Sequence, residues 1–355
     1  MEVPKKSNTA NRLTDDILIN ILIRLPPKSL CKFMVISKAW HSLISDAYFR
    51  ALLPPTMTGL FYNFRCLDPN SGYYKISNKY LSIPSWNHGF VDTTLSFLPY
   101  PGKFEILDSC NGLLYCQLED SPSSDIFVCN PVARSWTLLT NVNLHLFDSL
   151  FLVFDPKFSL QFQLVGVQTN GGSSCVELEK FSSQTCSWEK FQVSTKIGTN
   201  FIPHSRRVYL NGIIHIVASK RHMVAIDLDS MVCRRIEMPV ITPLIRNALL
   251  GNLTGSLHYA DKRNKEMNVW MLKDYESGEW VLKHSVVFEV GFNVMAFHPE
   301  MDIVFLRMFN NKIMSYKMSN GELKEVCKLM HRSMRGFFVF SPFFGEDVLE
   351  NKFGA

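Results

Sequence analysis

The chain has 355 residues, is 46% hydrophobic with 27 Phe, and carries a formal net charge of +5. This suits a small module plus one large domain with a sizeable core. No apolar run reaches the ~18 residues a spanning helix needs. The N-terminus is polar and shows no apolar signal-peptide region, and nine cysteines without a CxxC pair fit reduced thiols of the cytosol or nucleus rather than a disulfide framework.

The first fifty residues read as three short helices. Thr14 is a good N-cap, Asp15 and Asp16 favour the first turn, and the helix runs to Pro26. At about 100° per residue, Ile17, Ile21, Leu25, Leu18 and Leu22 cover one wide face, and Ile19 and Ile23 extend it. A one-sided surface helix has a narrower stripe. Two readings stay open here: a partner covers the excess, or another domain of the same chain does. Pro26-Pro27 start a second helix with Leu30, Phe33 and Met34 at helical spacing. Ser37 caps a third, which carries Trp40, Leu43, Ile44, Ala47 and Tyr48.

The residues from Leu13-Thr14-Asp15-Asp16-Ile17-Leu18 through Ile21-Leu22, Arg24-Leu25-Pro26, Lys28-Ser29-Leu30, Phe33 and Ser37-Lys38-Ala39-Trp40 resemble an F-box over about residues 11 to 50. Two positions depart from that pattern. Thr14 stands where the family often has proline, on the adaptor-contacting edge, and Val35-Ile36 precede the Ser-Lys pair. The resemblance implies a Skp-family adaptor as partner and, through it, cullin and RING subunits. It implies adaptor contacts at Leu13, Ile17, Leu25, Pro26, Leu30, Val35 and Trp40. Charge agrees: residues 1–50 hold eight Lys/Arg against four Asp/Glu, a net +4 that leaves +1 for the rest. Such a patch would steer an acidic adaptor surface. Nucleic acid would want a longer basic stripe with interleaved aromatics, so no nucleic-acid partner is expected.

Beyond about residue 58 the period becomes alternating. Leu113-Leu114-Tyr115, Ile126-Phe127-Val128, Phe162-Gln163-Leu164-Val165, Ile213-Ile214-His215-Ile216-Val217 and Met267-Asn268-Val269-Trp270 read as strands between Gly, Asn and Pro turns. Two turn units recur. One precedes a strand start at Trp136, Trp188, Cys233, Trp280 and Leu323, with gaps of 52, 45, 47 and 43 residues. The other is Asn111-Gly112, Asn211-Gly212 and Thr254-Gly255. Such a period marks propeller blades, and roughly 285 residues at about 47 per blade favour six, with five or seven open. The tryptophans are expected to wedge between blades.

This region resembles the F-box-associated domain of large plant families. Ser109-Cys110-Asn111-Gly112-Leu113-Leu114, Val128-Cys129-Asn130-Pro131 with Trp136, Phe154-Asp155-Pro156, Val208-Tyr209-Leu210-Asn211-Gly212 with His215, and Ala225-Ile226-Asp227-Leu228 carry the likeness. It implies a kelch-like propeller that captures a target protein for an adaptor–cullin–RING ubiquitin ligase.

The expected layout is therefore a three-helix all-α F-box module at 8–52, an all-β propeller at 58–345 and a C-terminal tail at 346–355. No catalytic, metal or cofactor site is expected: there is no His-Glu-x-x-His, no Gly-rich phosphate loop before a helix and no Gly-x-Ser-x-Gly elbow. Cys110 and Cys116 read as buried strand cysteines, and His215 and His258, equivalent in two repeats, as structural. Target contacts are expected on loops, with Lys220, Arg221 and His222 the candidate group. No membrane partner is expected, and the location is cytoplasmic or nuclear. Two rival readings remain: an adaptor-bound scaffold without a role in degradation, and a propeller-based small-molecule sensor or enzyme.

Overall fold

The computed structural model describes residues 15–25, 27–52, 57–67, 74–83, 92–99, 104–118, 125–140, 142, 147, 149–169, 175–194, 207–218, 221–240, 248–329, 334–343, 349 and 352–353. The N-terminal module has four helices: α1 (Asp15–Leu22), α2 (Pro27–Ile36), α3 (Lys38–Ser45) and α4 (Ala47–Leu52). Leu22, Leu30, Ile44 and Phe49 form its buried centre, and Leu25, Phe33, Trp40 and Leu43 pack around them. Ser37 caps α3 as expected, its Oγ accepting the Trp40 N–H at 3.2 Å. The Thr14 cap lies outside the described residues. The third helix is shorter than its apolar spacing predicts. Asp46 turns extended and its Oδ1 accepts the backbone N–H of Tyr48 at 2.8 Å, so it restarts the chain as a separate α4. A short carboxylate that satisfies free N–H groups competes with helix continuation.

The rest of the described chain is a six-bladed propeller. β1 (Gly59–Leu67) and β2 (Tyr74–Ser82) form an antiparallel hairpin. Blade I holds β3 (Phe104–Cys110), β4 (Leu113–Leu118), β5 (Ile126–Asn130) and β6 (Ser135–Leu139) from the axis outward. Blade II holds β7 (Ser149–Val153), β8 (Gln163–Thr169), β9 (Cys175–Ser182) and β10 (Ser187–Ser194). Blade III holds β11 (Arg207–Leu210), β12 (Ile213–Val217), β13 (His222–Asp227) and β14 (Cys233–Glu237). Blade IV holds β15 (Ala248–Leu253), β16 (Ser256–Arg263), β17 (Glu266–Asp274) and β18 (Glu279–Val287). Blade V holds β19 (Phe292–Phe297), β20 (Ile303–Met308), β21 (Lys312–Lys317) and β22 (Glu322–Lys328). Blade VI joins the first and last strands of the ring: β23 (Met334–Phe340) is its inner strand and pairs antiparallel with β1. The inner strands follow one another from β3 through β7, β11, β15, β19 and β23 back to β3. Within the expected tail, β24 (Lys352–Phe353) pairs in parallel with β6 on the outside of blade I.

The two recurrent turn units have distinct jobs. Asn111-Gly112, Asn211-Gly212 and Thr254-Gly255 link first to second strands as two-residue hairpins, both residues at positive φ. That is the turn whose twist matches the strands it joins, and glycine takes its second place without strain. The other unit links third to fourth strands in five blades, always with its fourth loop residue at positive φ: Arg134, Cys186, Met231, Gly278 and Gly321. Asn130, Asp227 and Asp274 open three of these loops, each accepting two backbone N–H groups ahead of it. Ser182 accepts one such group, the Gln184 N–H, at 3.3 Å. Lys317 opens the last and cannot accept, so Asp302 from the neighbouring turn takes the Ser319 N–H instead. Short polar side chains thus set the period that the sequence shows.

The blade tryptophans differ. Trp136 is buried in the cluster between blades VI and I, with Phe61, Phe127 and Phe340. Trp188 is half-buried, stacked on Phe147 at 5.9 Å and tilted against Phe181. Trp280 bridges blades through its Nε1–H, donated to the Glu237 carbonyl of blade III at 2.9 Å.

Candidate functional site

Two surfaces answer to the sequence expectations. The first is the outer face of the helical module. Ile17 and Ile21, one turn apart on α1, are each 47% exposed, and Ile36 at the end of α2 is 65% exposed. Leu30, by contrast, is 1% exposed and belongs to the centre of the module. Leu25 and Trp40 are half-buried around that centre, and Trp40 packs on Phe33 at 5.0 Å. Leu13 and Pro26 lie outside the described residues, as does the side chain of Val35. The apolar excess read from periodicity therefore resolves into inward Leu22 and outward Ile17 and Ile21. Ile21 is absent from the expected contact set, although the same helical spacing puts it beside Ile17.

The second surface is one face of the propeller. In an antiparallel blade the first–second and third–fourth turns share a face, and the second–third turns and blade-to-blade connections share the other. Gly59 pairs with Phe340, so the chain leaving the helices enters the propeller on the face of the first–second turns. The Lys220-Arg221-His222 segment links the second and third strands of blade III, on the opposite face. Arg221 there is exposed and His222 half-buried, whereas Lys220 lies outside the described residues. Blade turns at Asn264-Lys265 and Phe309-Asn310-Asn311 lie on the same face as this segment.

The buried polar groups of the propeller serve as ties between its parts. Asn63 of blade VI reaches blade I, donating Nδ2–H to the Ile106 carbonyl at 2.7 Å and accepting the Ile106 N–H at 3.2 Å. A bulge between Tyr62 and Asn63 re-aims this side chain. Asp108 on β3 accepts the Leu152 N–H of blade II at 3.1 Å, and burial raises its pKa. Cys110 and Cys116 are buried strand residues, as expected. Among the described residues no group of three His, Cys, Asp or Glu is placed to hold a metal ion.

His215 and His258 are both buried. The His215 Nδ1–H faces the Val208 carbonyl at 3.2 Å, which leaves Nε2 to accept from the Tyr275 hydroxyl of blade IV at 2.9 Å. Burial lowers its pKa to about 4. Its unfolded counterpart titrates near 6.5, so the unfolded chain takes up the proton first. The contribution is complete above about pH 6.5 and is lost as pH falls to about 4, roughly 3 kcal/mol in all. Glu300, raised by burial to about 7, works in the opposite direction over the same range. The informative comparison is therefore wild type against His215→Gln in urea melts at pH 7.5 and 4.5. The wild type should lose more stability between the two than the variant, and equal losses would refute the assignment.

Comparison with known proteins gives matches at both ends of this architecture. Residues 11–52 match the F-box domain model, and residues 93–339 match the model described as F-box protein At3g26010-like, beta-propeller. F-box protein At5g07610 of Arabidopsis thaliana is 28% identical over 323 residues, covering 81% of this chain and 72% of its own. Putative F-box protein At3g10240 of the same plant is 24% identical over 339 residues, covering 91% and 81%. F-box protein At5g49610, also from Arabidopsis, is 23% identical over 298 residues, covering 77% and 78%.

Proposed function

The chain belongs to the F-box proteins with an At3g26010-like β-propeller, and from that premise we propose that it is the substrate-recognition subunit of an SCF-type ubiquitin ligase. In this reading the helical module docks a Skp-family adaptor, and through it the cullin and RING subunits, in the cytosol or nucleus. The propeller holds a target protein. The chain itself makes and breaks no bond. Its contribution is proximity: a held target presents its lysines at high effective concentration to the loaded partner enzyme.

The observation that carries this reading is the pair Ile17 and Ile21, exposed side by side on a helix whose other face is already filled by Leu22. A module of four short helices has no use of its own for that surface. The test is Ile17→Ala with Ile21→Ala. Neither side chain is in the module's buried centre, so the helices should persist by circular dichroism. Truncating desolvated interface anchors costs on the order of 2 kcal/mol or more. Capture of the purified adaptor should therefore weaken by roughly thirtyfold or more. Unchanged capture would refute the docking face. Leu30→Ala is a poor substitute, because a buried Leu30 reports on folding of the module.

A further inference from the structure

The seam between blades IV and V, on the face opposite the chain's entry, carries a cation that no described carboxylate pairs. Lys262 is in β16 and is only 9% exposed. Its neighbour Asp261 is committed elsewhere, accepting the Trp270 Nε1–H at 3.2 Å and lying 3.3 Å from the Arg263 guanidinium. The Lys262 ammonium sits 5.3 Å from the ring centre of Phe292 and 4.9 Å from that of Phe309. Its polar contact is Asn293 Oδ1 at 3.5 Å, a long one. No carboxylate among the described residues pairs with it. Burying a charged amine is costly without an anion, and aromatic faces offset only part of that cost.

Over this ammonium lies an exposed ring. Phe309 is 67% exposed, yet its N–H donates to the Gly291 carbonyl at 3.0 Å. The ring lies so close over Gly291 that a Cβ there would come within 2.5 Å of it. Glycine is required at 291 for this approach. Val290, on the connection from blade IV to blade V, is also exposed. That connection is pinned by the Phe288 N–H to the Lys265 carbonyl at 2.9 Å. Exposed apolar side chains beside an ammonium that no described carboxylate pairs complement an acidic residue flanked by apolar ones.

We propose that this seam is the target-binding site, and that it takes a polypeptide segment in which an Asp or Glu carboxylate reaches Lys262 while an adjacent aromatic or aliphatic side chain packs on Phe309 and Val290. The proposal rests on reading the propeller as the target-binding half of the chain. It places the site one blade away from Arg221 and His222, on the same face.

The test is selection of 12-residue peptides from a randomised display library on the full chain. The selected peptides are then made synthetically and titrated against the wild type, Lys262→Met, Phe309→Ala and, as a control on the other face, Lys157→Met. Thermal melts establish that each variant is folded. Enriched peptides should share an acidic residue within three positions of an apolar one. Their affinity should fall at least tenfold for Lys262→Met and for Phe309→Ala, and stay level for Lys157→Met. Neutralising the peptide's acid should cost the wild type as much, with no further loss in Lys262→Met. The site is wrong if no peptide is enriched, if enriched peptides lack the acid, or if Lys262→Met binds them as well as wild type. It is also wrong if poly(U) RNA binds and competes in a Lys262-dependent way where peptides do not. Adaptor capture by the same chains is measured in parallel. Failed capture with Lys262-dependent peptides sinks the receptor reading alone, and intact capture with indifferent peptides sinks the seam alone.

Discussion

Deleting residues 334–355 should abolish the cooperative melt of the propeller, and Phe340→Ala alone should destabilise it by about 3–5 kcal/mol, the usual cost of truncating a large buried aromatic. The effect is large because β23 is the joint of a ring. It pairs with β1 from the other end of the propeller and packs beside β3 and β19 on the inner circle. Phe340 is fully buried, edge-on to Phe61 at 5.2 Å, in the cluster that also holds Trp136. Blade I then grips the segment from the side. Ser109 Oγ donates to the Val339 carbonyl at 2.7 Å, and Asn130 Nδ2 donates to the Phe343 carbonyl at 3.2 Å. Even the Asn111-Gly112 turn belongs to the clasp, since a Cβ on Gly112 would come within 2.4 Å of the Phe343 backbone nitrogen. Without β23 the inner edge of β1 has no partner and two blade interfaces lose their shared filling. Differential scanning calorimetry of the three chains decides the matter. A truncated chain that melts as sharply and as high as wild type would show that the ring does not depend on this closure.

That closure is also the feature the sequence hides best. Residues 59–67 and 334–340 are strand-like, but nothing local in either says that they pair across the whole domain. The blade count was legible for a different reason. The turns are set by chemistry within a few residues, by Asn-Gly at positive φ and by Asn or Asp accepting two backbone N–H groups ahead of it, and such signals survive in a bare sequence. In the helical module, spacing revealed the apolar excess on α1 but not its division, because direction is fixed by what packs against the helix. Leu22 and Leu30 turn inward only once Ile44 and Phe49 are in place. Asp46 shows the same limit, since a carboxylate within an apolar period reads as a solvent-facing position until its bond to the Tyr48 N–H is seen. Lys262 left no trace at all. A lysine near the end of a strand is ordinary, and only the fold brings Phe292 and Phe309 of the next blade against it.

Removing residues 1–52 should leave a chain that folds, keeps its target and fails to deliver it, so that overexpressing it lengthens the target's half-life. Three observations support this outcome. The helical module and the propeller have separate cores: Leu22, Leu30, Ile44 and Phe49 form one cluster, and among the described residues no helical side chain enters the clusters that fill the blades. The propeller fastens its own first strand, because Thr58 donates its N–H to the Phe340 carbonyl at 2.9 Å and the Tyr80 hydroxyl donates to Thr58 Oγ1 at 2.8 Å. Entry at Gly59 is on one face, while the Lys262 seam and the Arg221 turn open on the other. Losing the helices therefore removes neither core nor clasp nor target surface. Under the proposed function it removes only the route to the cullin, and a receptor that binds without delivering would shield its target by mass action. The expected readout is a melting temperature of the propeller close to that in the full chain, together with a longer target half-life in a chase experiment. The full chain carrying Ile17→Ala and Ile21→Ala should prolong the half-life in the same direction. Target binding lost on removing residues 1–52, with the melt unchanged, would mean that the helices form part of the target site and that the two functions share one surface.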